Sequence, residues 1–95
     1  MKKFLIRREM KGASSIPKHE MNKGGKASEE ELEEMRNEGK MIQQDTSYVA
    51  GDNVYCVYNA ENESLIKEHA ERSGGVATEI TEISIVIKHN TSVVS

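Results

Sequence analysis

The run Ser47-Tyr48-Val49, Ala50-Gly51-Asp52-Asn53, Val54-Tyr55-Cys56-Val57-Tyr58, then Asn62-Glu63-Ser64-Leu65-Ile66-Lys67-Glu68-His69-Ala70 and the stop Gly74-Gly75, decides the fold. Two Val- and Tyr-rich segments flank a turn with the Gly, Asp and Asn that tight hairpins require. Val54 to Asn59 is apolar on both faces and reads as a central strand. Asn62 is a helix cap. Leu65, Ile66, His69 and Ala70 fall at i, i+1, i+4 and i+5, a stripe that faces a sheet. Glu63-Lys67 and Glu68-Arg72 are spaced as i, i+4 pairs on the solvent side. Gly74-Gly75 supplies residues that tolerate positive φ past the helix end.

Outward from this run, Met41 to Val49 is a strand. Its polar middle, Gln43-Gln44-Asp45-Thr46-Ser47, suits a sheet edge. Lys3 to Met10 is the first strand, with Phe4 and Ile6 on one face and Leu5 on the other. Ile80 to His89 reads as the last strand, with Ile83, Ile85 and Ile87 on one face and Val86 on the other. Between the first two strands, Ser28 and Glu31 form a capping box ahead of Leu32 and Met35, and Gly39 ends that helix. Gly24-Gly25 costs about 1 kcal/mol per residue inside a helix, so residues 18–27 are expected to be an irregular lead-in. Residues 1–90 make one domain and 91–95 a loose tail.

The order strand, helix, strand, strand, helix, strand predicts an α+β, ferredoxin-like βαββαβ fold. It has a four-stranded antiparallel sheet, both helices on one face, and strands one and three in the centre. The other sheet face then carries Val, Ile and Tyr with nothing over it. A second copy is the expected cover, giving a homodimer through the sheet faces, of the dimeric α+β barrel type.

Composition narrows the function. The chain has 95 residues, 36% of them hydrophobic and 31% charged, with no Trp and a formal net charge of −3. That is enough for one thin aliphatic core. The charge balance argues against nucleic acid as a partner. No run is long or apolar enough for a signal peptide or a membrane span. A single Cys forms no internal disulfide, and the expected compartment is the cytoplasm.

Cys56 and His69 are the candidate site. A lone Cys in a central strand is in the simplest case a small buried hydrophobe, and a His on an apolar stripe a core residue satisfied by a carbonyl or a Tyr hydroxyl. The functional reading makes them a thiolate and an imidazole metal ligand, a donor pair suited to nickel or zinc. The second helix lying over strand three brings them together, with Tyr48 or Tyr58 as a nearby phenol. Two donors leave the shell to be finished by carboxylates, water or a second subunit. His19 and His89 read as surface residues and the glutamate run 29–34 as a solvated helix face. Gly74-Gly75 is not a phosphate loop, since it follows a helix and lacks the Lys and Ser/Thr.

Lys3-Phe4-Leu5-Ile6-Arg7-Arg8-Glu9, Ser47-Tyr48-Val49, Tyr55-Cys56-Val57-Tyr58, Asn62-Glu63, Glu68-His69-Ala70 and Ile80 to Ile87 resemble a small bacterial family of the nickel-binding-protein type, otherwise catalogued as a domain of unknown function. The resemblance implies a ferredoxin-like fold, dimers paired through their sheets, and nickel or another divalent transition metal as ligand. The chain departs from the family pattern near Gln44 and Thr46, where a Trp and a His or Glu are usual, and in the glycines of its first helix. Two further classes stay open. One is a cofactor-free enzyme that oxidises or isomerises a small molecule, with His69 as base and a Tyr as proton donor. The other is a structural or partner-binding module.

Overall fold

The computed structural model describes residues 1–89. Strand β1 (Lys2–Glu9) leads through a 3-10 turn at Ala13–Ser15 into helix α1 (Lys18–Asn37). The hairpin β2 (Ile42–Ala50) and β3 (Asn53–Ala60) follows, then helix α2 (Glu63–Arg72) and strand β4 (Glu79–Ile83). The antiparallel sheet has the order β2-β3-β1-β4, so β1 and β3 are central and β2 is an edge. This is the ferredoxin-like arrangement that the element order predicts.

Strict alternation assigns the faces. Val54, Cys56, Tyr58 and Ala60 of β3 are buried, while Asn53, Tyr55, Val57 and Asn59 between them are half-buried. Phe4 and Ile6 stand opposite Tyr58 and Cys56, and Ile42 opposite Ala60. These residues form one core with Leu32 and Met35 of α1 and Ile66 of α2, so both helices cover the same face. The other face carries Leu5, Tyr48, Tyr55 and Val57, with Tyr48 59% exposed.

The hairpin closes through Gly51 and Asp52, with positive φ at Gly51 alone, as a type II′ turn has. Asp52 also tethers the loop after β1. Its carbonyl accepts from Met10 N–H at 2.7 Å and its carboxylate from Gly12 N–H at 2.8 Å. A β-bulge at Asp45 shifts the β2–β3 register between Gln44 and Thr46.

Two expectations need correction. First, α1 is continuous from Lys18, and Ser28 lies in its interior instead of capping it. Met21, Gly25, Ser28, Leu32 and Met35 recur at steps of four and three, one helical face. Packing of Met21, Leu32 and Met35 on the core offsets the intrinsic cost of the glycines. Second, β4 ends at Ile83, not at His89. Its last pair is Lys3 with Ile83, and β1 begins at Lys2, so the sheet has no strand left for residues 84–89. The expected tail at 91–95 lies outside the described residues.

At Gly24 an added Cβ meets nothing within 4 Å, whereas Gly74 sits at φ +70° in the stop after α2. Gly24→Ala is therefore expected to raise unfolding stability by about 0.5–1 kcal/mol. Gly74→Ala is expected to lower it by about 1–2 kcal/mol. Urea denaturation of both variants checks the pair.

Candidate functional site

Cys56 and Tyr58 point from β3 towards the helices, and α2 lays His69 over them. The stripe on α2 is as the spacing requires: Ile66, His69 and Ala70 are buried. Asn62 caps the helix, its side-chain oxygen accepting from Leu65 N–H at 3.2 Å. His69 is 1% exposed and Cys56 2%.

The His69 ring is bonded through both nitrogens. Nε2 lies 3.2 Å from the Ser28 carbonyl oxygen and Nδ1 3.2 Å from the Tyr58 hydroxyl. A carbonyl only accepts, so Nε2 carries the proton and donates, and Tyr58 donates its O–H to Nδ1. Arg8 in turn donates to the Tyr58 oxygen at 3.0 Å, and its other terminal nitrogen donates to the Val76 carbonyl at 2.9 Å.

A second branch leaves Ser28. Its hydroxyl, 3.3 Å from His69 Nε2, donates to Gln44 Oε1 at 2.9 Å. The Gln44 amide donates to Ser47 Oγ at 2.7 Å, and Ser47 donates to Cys56 Sγ at 3.3 Å. One directed chain thus links Arg8, Tyr58, His69, Ser28, Gln44, Ser47 and Cys56, crossing β1, β3, α2, α1 and β2. Among the described residues no buried side-chain N or O lacks a partner.

Burial is the main force on the His69 pKa and lowers it from the usual 6.5, and the Arg8 cation adds to the shift. Burial likewise raises the Tyr58 pKa, although Arg8 opposes it. Burial disfavours the charge on Arg8, but Tyr58 and Cys56 beside it outweigh that and its pKa rises. Both Tyr58 and His69 are thus held neutral near pH 7.

On the solvent side Arg72 joins the helices, with its guanidinium on Glu31, Glu38 and Glu68. Hydrogen bonds from Arg72 and then Lys40 hold the Glu38 carboxyl down at about 2. Part of the glutamate run is therefore an interhelical clamp as well as a solvated face.

The structure brings Cys56, Tyr58 and His69 into one network. Tyr48 is not part of it, because its register partner is Tyr55 and both stand on the opposite sheet face. Arg8, Ser28, Gln44 and Ser47 are the members that sequence reasoning missed.

An open cleft of about 280 Å³ lies beside the network, between α1 and the bulge of β2, lined by Asn22, Gly25, Glu29, Gln44, Asp45, Thr46 and Ser47. A second, of about 250 Å³, lies at Ala13, Ser14, Ile16, Lys18, Met21 and Val49. Neither is lined by Cys56 or His69. Among the described residues no three His, Cys, Asp or Glu side chains are grouped to hold a metal. No described helix is long and apolar enough to cross a membrane.

Fold and site together define a small ferredoxin-like α+β domain with a closed polar network under its helices. The sequence profile of the family described as nickel responsive protein SCO4226-like matches residues 4–83, and the chain belongs to that family. Among solved structures it is similar to that of SCO4226 from Streptomyces coelicolor A3(2), with a TM-score of 0.72 and 18% identity. The match covers 90% of this chain and 99% of that one, and at this identity it bears on the fold alone. No curated protein matches the chain.

Because the folded His69 pKa lies below the unfolded one, the unfolded chain takes up the proton first as pH falls. The contribution of His69 is therefore complete above about pH 6.5 and is lost as pH drops below it. Unfolding stability is expected to be flat from pH 8 to 7 and to fall between 6.5 and 5, with a slope of up to about 1.4 kcal/mol per pH unit. His69→Gln is expected to remove that slope, as measured by urea midpoints across the range.

Proposed function

We propose that this protein is a small, non-catalytic cytoplasmic domain that binds a divalent transition metal such as nickel and works as a homodimer joined through its sheet faces. The observation that carries the proposal is membership, over residues 4–83, of a family described as nickel responsive. Cys56 and His69 are the donors in this chain that suit such a metal. Within one chain they do not make a finished site. The thiol accepts from Ser47, the imidazole is bonded at both nitrogens, and no third donor of the described residues joins them. A shell built on these two requires those bonds to be released and further donors to come from water or a second copy.

The structural-module reading has an observation of its own, since every bond in the network is already made within the chain. There the pair acts only as a pin between sheet and helices. The enzyme reading finds less support. Tyr58 and His69 lie 3.2 Å apart, but neither lines either of the two clefts described above.

Calorimetric titration of tag-free protein with nickel separates these readings. Wild-type protein is expected to bind, and the double variant Cys56→Ala, His69→Ala to bind at least tenfold more weakly while keeping its circular dichroism. Equal binding by the double variant removes the two residues as ligands. No binding by the wild type leaves the structural pin.

A further inference from the structure

Val49 pairs with Val54 across the hairpin, so the two share the sheet face that the helices cover. Val54 is buried there at 7% exposure, yet Val49 is 42% exposed. The gap above it is the cleft of about 250 Å³ between the Ala13–Ser15 turn, the start of α1 and the end of β2. Its apolar lining is Ala13, Ile16, Met21 and Val49. Ala13 belongs to the buried core and Met21 packs against it, so the cleft is a corner of that core open to water.

Backbone bonds fix the walls. Met10 N–H donates to the Asp52 carbonyl at 2.7 Å and Ser14 N–H to the Gly51 carbonyl at 3.1 Å, which ties the loop carrying Ala13 to the turn beside Val49. Gly12 N–H adds its bond to the Asp52 carboxylate at 2.8 Å. Closing the corner by collapse would break these bonds, so its apolar surface is a preformed one. The mouth adds a single charge. Lys18 is the one charged residue of the lining, is exposed, and makes no ion pair among the described residues. Ser14, also exposed, contributes a hydroxyl to the same lining.

We propose that this corner binds a small amphiphilic acid, a short aliphatic chain ending in a carboxylate. The chain lies on Ala13, Ile16, Met21 and Val49, and the carboxylate takes the Lys18 ammonium and the Ser14 hydroxyl at the mouth. Charge complementarity selects the head group, since the lining holds a cation and no carboxylate. The other cleft is the reverse, with Glu29 and Asp45 in its lining, and disfavours the same ligand. A volume of about 250 Å³ falls below that of drug-sized sites and suits a chain of a few carbons. The site is separate from Cys56 and His69, neither of which lines it.

The test titrates sodium hexanoate into the isotope-labelled full chain and follows the backbone amides by two-dimensional NMR. Saturable shifts are expected at Ala13, Met21 and Val49, with hexylamine binding about tenfold more weakly or not at all. Lys18→Gln leaves the apolar walls untouched and is expected to weaken hexanoate about tenfold while keeping wild-type circular dichroism. Val49→Phe fills the corner from an exposed position and is expected to abolish the saturable shifts at Ala13 and Met21. Hexylamine that binds as tightly as hexanoate overturns the proposal, as does a Lys18→Gln variant with unchanged affinity. Shifts that fail to saturate at tens of millimolar overturn it too. So do shifts confined to Leu5, Tyr48 and Tyr55, which place the acid on the opposite sheet face.

Discussion

The imidazole of His69 belongs to α2, accepts from a phenol on β3 and donates to a main-chain carbonyl on α1. Three elements are thereby fixed through a single ring whose tautomer is set by the one partner that cannot donate. The remaining bonds follow from that choice: Tyr58 must give its proton to the ring, Arg8 must donate to Tyr58, and Ser28 is left to donate to Gln44. In a low-dielectric interior each such bond is worth little net, but a donor or acceptor left without a partner costs about 1–3 kcal/mol. The chain therefore behaves as a unit. It defines how the helices sit on the sheet, which aliphatic packing alone leaves free to slide.

That closure bears on the family's link to nickel. A thiol and an imidazole lie in one network here, yet each is already engaged by a neighbour of matched polarity. The cleft between α1 and β2 reaches the same network from outside through Gln44 and Ser47, with two carboxylates, Glu29 and Asp45, at its rim. Gly25 lines the α1 side of this cleft, and a Cβ added there would meet nothing within 4 Å. The accessible polar surface and the buried soft donors are thus adjacent and separated by two side chains.

The hairpin, the cap at Asn62 and the stripe on α2 were legible because each has a local signature: turn chemistry, a short polar cap, a 3.6-residue period. The edge position of β2 and the central position of β3 followed from polarity in the same way, and the central position of β1 from the order of the elements. The first half of α1 was not legible, because the propensity of Gly24-Gly25 outweighs the spacing of Met21, Gly25 and Ser28 when the sheet beneath them is unseen. The end of β4 was hidden for another reason. Alternating isoleucines continue to Ile87, but a strand's length is decided by its neighbour, and β1 does not reach that far. Ser28, Gln44 and Ser47 carry no charge and sit in polar segments, so nothing in the sequence set them apart. Tyr48 was misplaced because its face depends on the length of the turn: with Gly51-Asp52 as a two-residue loop it falls opposite Tyr55, away from the helices.

The bulge at Asp45 gives β2 one residue that no pair uses. Gln44 stands opposite Tyr58 and Thr46 opposite Val57, which are neighbours on β3, so Asp45 alone is unmatched. Loss of that single codon would leave every other pair of the hairpin with its present partner, including Ser47 opposite Cys56 and Tyr48 opposite Tyr55. Natural variation is therefore expected to tolerate a one-residue deletion at this point of the strand.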